Sequence, residues 1–474
     1  MDNKEQEQFS NKKNQSLKSF SNVAICSIAC LLLVISVLLT FMLTSAADRS
    51  YYQKKLDEQQ AVINQMESLN KVEPTLSGSS FEKLDVLSQI FDQYSYYVGQ
   101  KTEEEMITAV LKAYAEATGD LYAEYYTEEE YNQLAYENAG DYEGIGVSVI
   151  QTTCEANGFE YQVFQVISIY KGAPAENSDL RVGDYIYCIK VDDTYQTIAA
   201  LGGYTTAINY VRGEKGTYAE FAVLRESADG KMESIEIRVI RDSFESVSVT
   251  SYLSESDPTV GIVHIAGFDL TAPKQFKEAV LNLKAQGVEH FIFDVRYNPG
   301  GDLQSIKAIM TYFLQPGDMI LSAIDRNENV AGTYVAEPMT GFGDYAACNV
   351  SRDEIGMFAD LDMVVLCNGS TASAAEVFVA TLRDYGMAMV VGETTFGKGI
   401  MQTYLPMSWF GDYTGYVKMT TYAYVTKCGV TYHDTGITPH VESILSEEAL
   451  EYNFYVLPQS KDNQLQAALE LFQN

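Results

Sequence analysis

A serine and a lysine stand near the two ends of one short stretch, residues 366–403, and together they could perform acyl transfer. Ser373 follows a turn of small polar residues and begins a predicted helix, so its hydroxyl would lie beside amides that lack helical partners. Such amides can stabilise a developing oxyanion. Lys398 lies between two glycines, and desolvation there would lower its pKa and let it act as a base. The pair suggests a nucleophile and its base.

Three predicted elements position these two residues. An apolar run over Met363–Cys367 predicts a buried strand, and Ala374–Tyr385 predicts a helix that ends at Gly386. A second apolar run, Met387–Val391, predicts another strand, so we expect a strand–turn–helix–strand unit with parallel strands. The alternation of strands and helices continues over Thr259–Glu442 and indicates an α/β domain with a largely parallel sheet.

A phosphate-binding loop is the first competing interpretation of this stretch. Gly392 to Lys398 fits the pattern G-x-x-x-x-G-K, but position 399 is Gly instead of the Ser or Thr that binds magnesium. The residues that follow predict a strand, whereas a phosphate site needs a helix N-terminus. We therefore reject the phosphate-binding loop.

A Ser-His-Asp triad is the second competing interpretation. The surrounding residues G-S-T-A-S-A lack the G-x-S-x-G elbow, and no histidine has a sequence link to Ser373. A distant histidine could still approach in space, so the triad stays open. The four histidines of the chain are His264, His290, His433 and His440.

Composition excludes several function classes. The net charge of −33 argues against a nucleic-acid partner, because phosphate binding needs clustered Lys and Arg. Seven scattered cysteines, without a Cys-x-x-Cys motif or a histidine at ligand spacing, predict no metal site. We expect no cofactor. At 474 residues the chain should form two or three domains.

The N-terminal part predicts a membrane anchor. Residues 23–47 carry no charge and are long enough to span a bilayer as a helix. A cleaved signal peptide is less favoured, because the run exceeds a typical apolar region and ends without a clean Ala-x-Ala site. The lysines in residues 1–22 predict a cytoplasmic tail and place the remainder outside the cytoplasm, on a single-pass cell-membrane protein. Residues 48–80 would form a stalk and linker.

Two small regions separate the linker from the α/β domain. Residues 81–139 show helical periodicity and predict a helical cap, and residues 140–248 predict a module of short strands. The module carries Gly144-Ile145-Gly146 and Gly172–Ala175, followed by Leu180 and Gly183-Asp184. In this order and spacing these residues resemble a PDZ domain of the bacterial, permuted kind.

The PDZ resemblance implies a peptide-binding role. Such domains hold an extended peptide end as an added strand and catch its carboxylate with loop amides. Gly144, Ile145 and Gly146 are the corresponding peptide-binding residues. A β module with only a structural role remains the alternative.

The catalytic stretch itself resembles the carboxyl-terminal processing (tail-specific) serine proteases. The resemblance rests on the runs STASAAE, LRDYG and GETTFGKGIMQ, and on VRYNPGG at residues 295–301. It covers most of residues 80–474. It implies an α+β multidomain protein, with a ClpP/crotonase-like α/β peptidase core over residues 249–445 and a helical tail over residues 446–474.

The same resemblance implies roles for individual residues. Ser373 would be the nucleophile, Lys398 the general base, and Gln402 the residue that orients the lysine. The amides of Ala374 and of Gly300 or Gly301 would form the oxyanion hole. Asn298 and Asp384 would support the site. Position 375 is Ala where the family often has a second serine, which removes a neighbouring hydrogen bond.

These inferences predict a membrane-anchored, extracytoplasmic serine endopeptidase. Protein substrates with accessible C-terminal tails would dock in the PDZ groove and be cut through an acyl-enzyme. The resemblance and the two terminal helices also suggest a homodimer. The alternative is a catalytically silent, anchored PDZ scaffold that binds C-terminal tails without turnover.

Overall fold

The computed structural model describes most of the chain after the predicted linker. The described ranges are residues 78–156, 158–227, 229–340 and 343–473. The predicted cytoplasmic tail, the membrane anchor at 23–47 and nearly all of the stalk lie outside them. Within these ranges no helix is both long and apolar enough to cross a membrane. The chain divides into two compact units, Met1–Gln100 and Lys101–Asn474.

The predicted helical cap contains three helices and one short strand. Helix α1 belongs to the first unit and the other elements belong to the second. Helices α2 and α3 each begin with a Thr-x-x-Glu capping box, in which Glu105 and Glu130 accept the amides of Thr102 and Thr127. In chain order, the elements are α1 (Gly78–Tyr94), α2 (Glu103–Ala117), β1 (Glu124–Tyr126) and α3 (Glu128–Asn138).

A β-rich module follows, as its short alternating runs predict. Its main sheet has the order β3-β4-β5-β7-β8, with β6 beside β5, and β2 pairs separately with β9. Phe164, Ile186 and Phe221 are fully buried in its core. In chain order, the elements are β2 (Asp141–Gly144), β3 (Val147–Ala156), β4 (Phe159–Ile169), β5 (Tyr185–Val191), β6 (Thr194–Thr197), α4 (Tyr204–Val211), β7 (Tyr218–Glu226), β8 (Met232–Ile240) and β9 (Asp242–Glu245).

The rest of the chain forms an α/β core and a helical tail. Its strands are β10 (Val249–Leu253), β11 (Val260–Ile265), β12 (His290–Asp294), β13 (Met319–Ile324), β14 (Val330–Val335), β15 (Asp362–Cys367), β16 (Ala388–Gly392), β17 (Ile400–Pro406), β18 (Tyr416–Val425) and β19 (Val441–Glu442). Its helices are α5 (Ala272–Ala285), α6 (Leu303–Thr311), α7 (Ala374–Asp384), α8 (Glu447–Leu450) and α9 (Asn463–Glu470).

A six-stranded sheet with the order β10-β11-β12-β15-β16-β19 is the centre of this core. All neighbours are parallel except β10, which runs antiparallel to β11. Both faces are buried: Phe291 and Phe293 pack toward helices α5 to α7, and Ile292 packs toward α9. Burial of both faces explains why these strands are continuous apolar runs in the sequence.

A second sheet lies beside the predicted catalytic stretch, residues 366–403, and has the order β1-β18-β13-β14, with β17 also paired to β18. The predicted strand–helix–strand unit is confirmed as β15, α7 and β16, and Gly386 follows the helix with a φ of +65°. The chain after Lys398 enters strand β17. This confirms the reason for rejecting a phosphate-binding loop, since no helix begins there.

Candidate active site

Ser373 occupies a sharp turn between β15 and α7. Its backbone has a φ of +56° and a ψ of −120°, a region that costs a non-glycine residue about 1–3 kcal/mol. The turn is held on both sides. The amide of Ser373 donates to Glu376 Oε2 at 2.9 Å, and the amide of Ala372 donates to the carbonyl of Asn298 at 2.9 Å. Ala374 is the first helical residue, so its amide has no partner within the helix.

The carboxylate of Glu376 is the centre of the site's hydrogen bonding. The residue is 0% exposed. Its oxygens accept hydrogen bonds from the amide of Ser373, from the Thr395 hydroxyl at 2.6 Å, and from the amides of Gly397 and Lys398, each at 2.7 Å. One buried carboxylate therefore ties the serine turn to the loop that carries the lysine. No role for Glu376 was predicted from the sequence, although Ser-x-x-Glu before an apolar run is a capping-box signal.

Lys398 is partly buried, and its Nζ lies 4.3 Å from the ring centroid of Tyr122. Burial first and the positive charge of Lys418 second lower the pKa of Lys398, and the negative charge of Glu376 partly opposes them. The main-chain carbonyl of Lys398 accepts the hydroxyl of Tyr424 at 2.7 Å. A half-buried lysine with a lowered pKa is suited to accept a proton.

The glycines on either side of the lysine are required by close backbone packing. A Cβ on Gly397, whose φ is +90°, would lie 2.9 Å from the amide nitrogen of Gly436. A Cβ on Gly399 would lie 2.7 Å from the amide nitrogen of His433. Because neither position leaves room for a side chain, the glycines allow residues 433–436 to pack directly against the lysine loop.

The loop at residues 298–301 packs directly against the serine turn. A Cβ on Gly300 would lie 2.7 Å from Ser373 Cβ and 2.9 Å from the amide nitrogen of Ala374. Asn298 is fully buried; its Nδ2 donates to the Ile265 carbonyl, and its Oδ1 accepts the amide of Gly300, both at 2.8 Å. The amide of Gly300 is thus already paired in this structure. Gly301 and Ala374 are the remaining predicted oxyanion donors.

A buried ionic cluster anchors the strand end from which this loop leaves. Arg296 is 3% exposed, and its guanidinium bonds Asp294 at 2.7 Å and Asp462 of the tail at 2.8 Å. The amide of the next residue, Tyr297, donates to Asn368 Oδ1 at 3.0 Å. The helical tail therefore helps to fix the loop that approaches Ser373.

The part of the chain that contains this site is similar to a known family of peptidases. Residues 259–443 match the profile of peptidase family S41. This segment belongs to peptidase family S41. The match contains Ser373, Lys398 and the loop at residues 298–301, and the predicted relationship to the carboxyl-terminal processing serine proteases is confirmed.

Several known proteases are similar to this chain over most of its length. The carboxy-terminal processing protease CtpA of Bacillus subtilis (strain 168) is 27% identical over 368 residues, which is 77% of this chain and 70% of the relative. A probable CtpA-like serine protease of Staphylococcus aureus (strain COL) is 28% identical over 380 residues, 80% of this chain and 67% of the relative. A Bacteroides fragilis NCTC 9343 structure assigned to the S41 proteases shares the fold, with a TM-score of 0.50 and 16% identity over 85% of this chain and 98% of that one.

Gln402 and Asp384 are two further residues of the predicted site. The Gln402 amide donates to the Thr420 hydroxyl on β18 at 3.2 Å, and that hydroxyl in turn donates to Asp120 at 3.0 Å. Asp384 ends α7, eleven residues after Ser373, which corresponds to about 16 Å along the helix axis. Asp384 can therefore brace the helix but does not approach the serine.

In the described part of the chain, each of the four histidines contacts a residue other than Ser373. His290 lies 2.7 Å from Asp362, and His264 faces Asp294 at 4.0 Å. His440 accepts the amide of Val390 at 3.0 Å. The ring of His433 lies closest to the lysine loop, and its Nδ1 bonds the Gly397 carbonyl at 3.2 Å. This arrangement favours the lysine over a histidine as the base.

A groove of about 1220 Å³ connects the β-rich module to the S41 core. Its lining from the β-rich module includes Gly144, Ile145 and Gly146, strand β3, and Ile208 and Val211 of α4. Its lining from the core includes Gly300 and Gly301. The predicted peptide-binding residues and the predicted oxyanion loop thus border one continuous space.

Proposed function

We propose that this protein is a membrane-anchored, extracytoplasmic serine endopeptidase that binds C-terminal tails of protein substrates and cleaves them with a Ser373–Lys398 dyad. The observation that carries the proposal is the Glu376 carboxylate, which bonds the amides of both Ser373 and Lys398. Because the backbones of both residues bond the same buried carboxylate, the fold keeps the nucleophile and the base in a fixed position relative to each other.

The chemistry follows from this arrangement. The neutral amine of Lys398 takes the proton of the Ser373 hydroxyl while Oγ attacks the carbonyl carbon of the substrate. The amides of Gly301 and Ala374 stabilise the oxyanion. The C–N bond then breaks, the amine product leaves with the proton from Lys398, and the acyl chain remains as an ester on Ser373. Water activated by Lys398 hydrolyses the ester and regenerates the serine.

Tail recognition is supported by the edge of the β-rich module. Strand β3 is the last strand of its sheet, so its outer edge can pair with an extended peptide. A Cβ on Gly146 would lie 2.1 Å from the Ala173 Cβ, so this turn tolerates only glycine. Helix α4 supplies Ile208 and Val211 on the same groove. We infer that a substrate tail with an apolar last residue binds between β3 and α4, as in a PDZ domain.

The remaining parts of the proposal rest on the sequence. The uncharged residues 23–47 would anchor the protein in the cell membrane, with the catalytic part outside the cytoplasm. A homodimer, suggested by the terminal helices, would present two sites on the membrane surface.

The proposal predicts tail-dependent hydrolysis with the inhibition pattern of a serine peptidase. An unfolded polypeptide ending in valine should be cleaved with a kcat/KM about tenfold higher than the same polypeptide with a C-terminal amide, because the amide removes the charge that loop amides bind. A fluorophosphonate should abolish cleavage and EDTA should leave it unchanged. The full-length protein is incubated with labelled substrate, and the cleavage products are measured by electrophoresis.

Three results would contradict parts of this proposal. Equal cleavage of the two tails would remove the tail-recognition role, and inhibition by EDTA would indicate a metallopeptidase. Tail binding without any turnover would instead support the silent scaffold. The Ser373→Ala variant provides the inactive background for all three comparisons.

A further inference from the structure

One segment of the helical cap lies against the sheet that begins just after the predicted catalytic lysine and contains Gln402. We call residues 118–126 the strap; it consists of the turn after α2 and strand β1. Strand β1 pairs antiparallel with β18, so that Glu124 lies opposite Lys418 and Tyr126 opposite Tyr416. Strand β18 also pairs with β17, which follows Lys398 and contains Gln402. The strap is therefore held next to the predicted base by a continuous sheet.

Tyr122 is the strap residue that meets the lysine. The Nζ of Lys398 lies 4.3 Å from the centre of the Tyr122 ring, within the range of a cation–π interaction. The preceding residue, Leu121, is 93% exposed. The turn thus directs the aromatic ring toward the lysine and leaves an apolar neighbour in solvent.

Asp120 is the strap residue that acts on the glutamine. Its carboxylate accepts the amide of Thr420 at 2.7 Å and the hydroxyl of Thr420 at 3.0 Å. The same hydroxyl accepts the amide of Gln402 at 3.2 Å. Burial opposes ionisation of Asp120, but the bonds from Thr420 and Tyr122 outweigh it and lower the pKa of this carboxyl. A charged acceptor thus fixes the hydroxyl rotor to which Gln402 donates.

We infer that the strap positions the general base: the Tyr122 ring seats the Lys398 ammonium, and Asp120 fixes the side chain of Gln402 through Thr420. The inference deepens the proposed function, because it rests on Lys398 as the base. The ring attracts the ammonium and has little attraction for the neutral amine. It therefore stabilises the proton that Lys398 takes from the serine during acylation.

Several other groups face Lys398 and would be unchanged by a substitution at Tyr122. Lys418 on β18 lowers the lysine pKa, and Glu376 on α7 raises it. The Tyr424 phenol bonds the lysine carbonyl, and the His433 ring bonds the carbonyl of Gly397. Because these groups stay in place, a change in the pKa of Lys398 in a Tyr122 variant would measure the effect of the Tyr122 ring.

The test is the pH dependence of kcat/KM for a short peptide substrate, measured with the full-length protein. In Tyr122→Leu the acidic limb should move about 0.5–1 pH unit lower, since the ammonium loses its aromatic partner and deprotonates more easily. Tyr122→Phe keeps the ring face and should move the limb by less than about 0.3 unit. Leu121→Ala, a change in the exposed part of the strap, should leave the profile unchanged. If Tyr122→Leu does not fold, Tyr122→Met provides the same comparison.

Asp120→Asn tests the second contact. Asparagine offers one acceptor oxygen for the two Thr420 donors, so we expect kcat to fall about fivefold while KM stays the same. An unchanged acidic limb in Tyr122→Leu, or an unchanged kcat in Asp120→Asn, would overturn the corresponding half of the inference.

If Lys398→Ala retains full activity, the proposed function and the strap inference both fail. If Lys398→Ala is inactive but the Tyr122 variants have the same acidic limb as the unmodified protein, the proposed function stands and the Tyr122 half of the strap inference fails.

Discussion

Lys398→Ala is expected to lower kcat/KM by about 10³-fold while the protein stays folded, because it removes the proposed general base. The lysine amine is partly buried and its pKa is lowered by burial and by Lys418, so this position supplies neutral amine at a lower pH than an ordinary lysine would. Hydrolysis of a short peptide by the purified full-length variant measures the effect. Lys427→Ala, at an exposed position, is the matched control and should retain the activity of the unmodified protein.

The pH profile separates a base from a merely structural lysine. Activity should be low where Lys398 is protonated and should rise as the pH increases through its pKa, which lies below the ordinary lysine value. Lys398→Arg keeps the positive charge but cannot deprotonate, so we expect it to be as inactive as Lys398→Ala. Substantial activity in the arginine variant would show that the position supplies charge and not a base.

Glu376→Gln is expected to lower both activity and stability. The carboxylate is buried and accepts four hydrogen bonds. In glutamine one of its two oxygens is replaced by an NH₂ group, which cannot accept the hydrogen bonds that this oxygen accepts. Leaving buried donors unpaired costs about 1–3 kcal/mol each, so the free energy of unfolding should fall by about 3 kcal/mol. We expect kcat to fall about 100-fold, because the serine turn and the lysine loop lose their common anchor.

Urea denaturation and steady-state kinetics together measure this effect. Glu289→Gln, which replaces an exposed carboxylate, controls for the loss of one negative charge and should change neither quantity. A Glu376→Gln protein with reduced stability and normal kcat would restrict Glu376 to a structural role. Normal values of both would contradict the account of how the site is held.

The local elements of the site could be predicted from the sequence because their determinants are local. The apolar runs of β15 and β16 and the glycine after α7 define the unit that carries Ser373. The loop at residues 298–301 was predicted by resemblance alone. The structure supplies its physical reason, because Gly300 packs against Ser373 Cβ with no space for a side chain.

The contacts between distant segments could not be predicted in this way. The capping-box pattern places Glu376 near Ser373, but its bonds to Gly397 and Lys398 depend on how the next strand returns to the helix. The contact of Tyr122 with Lys398 joins the cap to the core. No periodicity in the sequence encodes such pairs, since they arise from tertiary packing of separate elements.

The resemblance predicts residue roles but does not specify hydrogen-bond partners. Gln402 is predicted to orient the lysine, and the structure adds a bond from its side-chain amide to Thr420. The amide of Gly300 is a predicted oxyanion donor, and in the structure it bonds Asn298. Both bonds depend on side-chain and loop conformations, which a motif does not specify.

The central claim is that Ser373 forms a covalent intermediate, and mapping the site of fluorophosphonate labelling tests it most directly. The full-length protein is treated with the probe, digested and analysed by mass spectrometry. We predict a single adduct on the peptide that contains Ser373, no adduct in Ser373→Ala, and slower labelling in Lys398→Ala. An adduct on another residue, or active protein that is never labelled, would contradict the account.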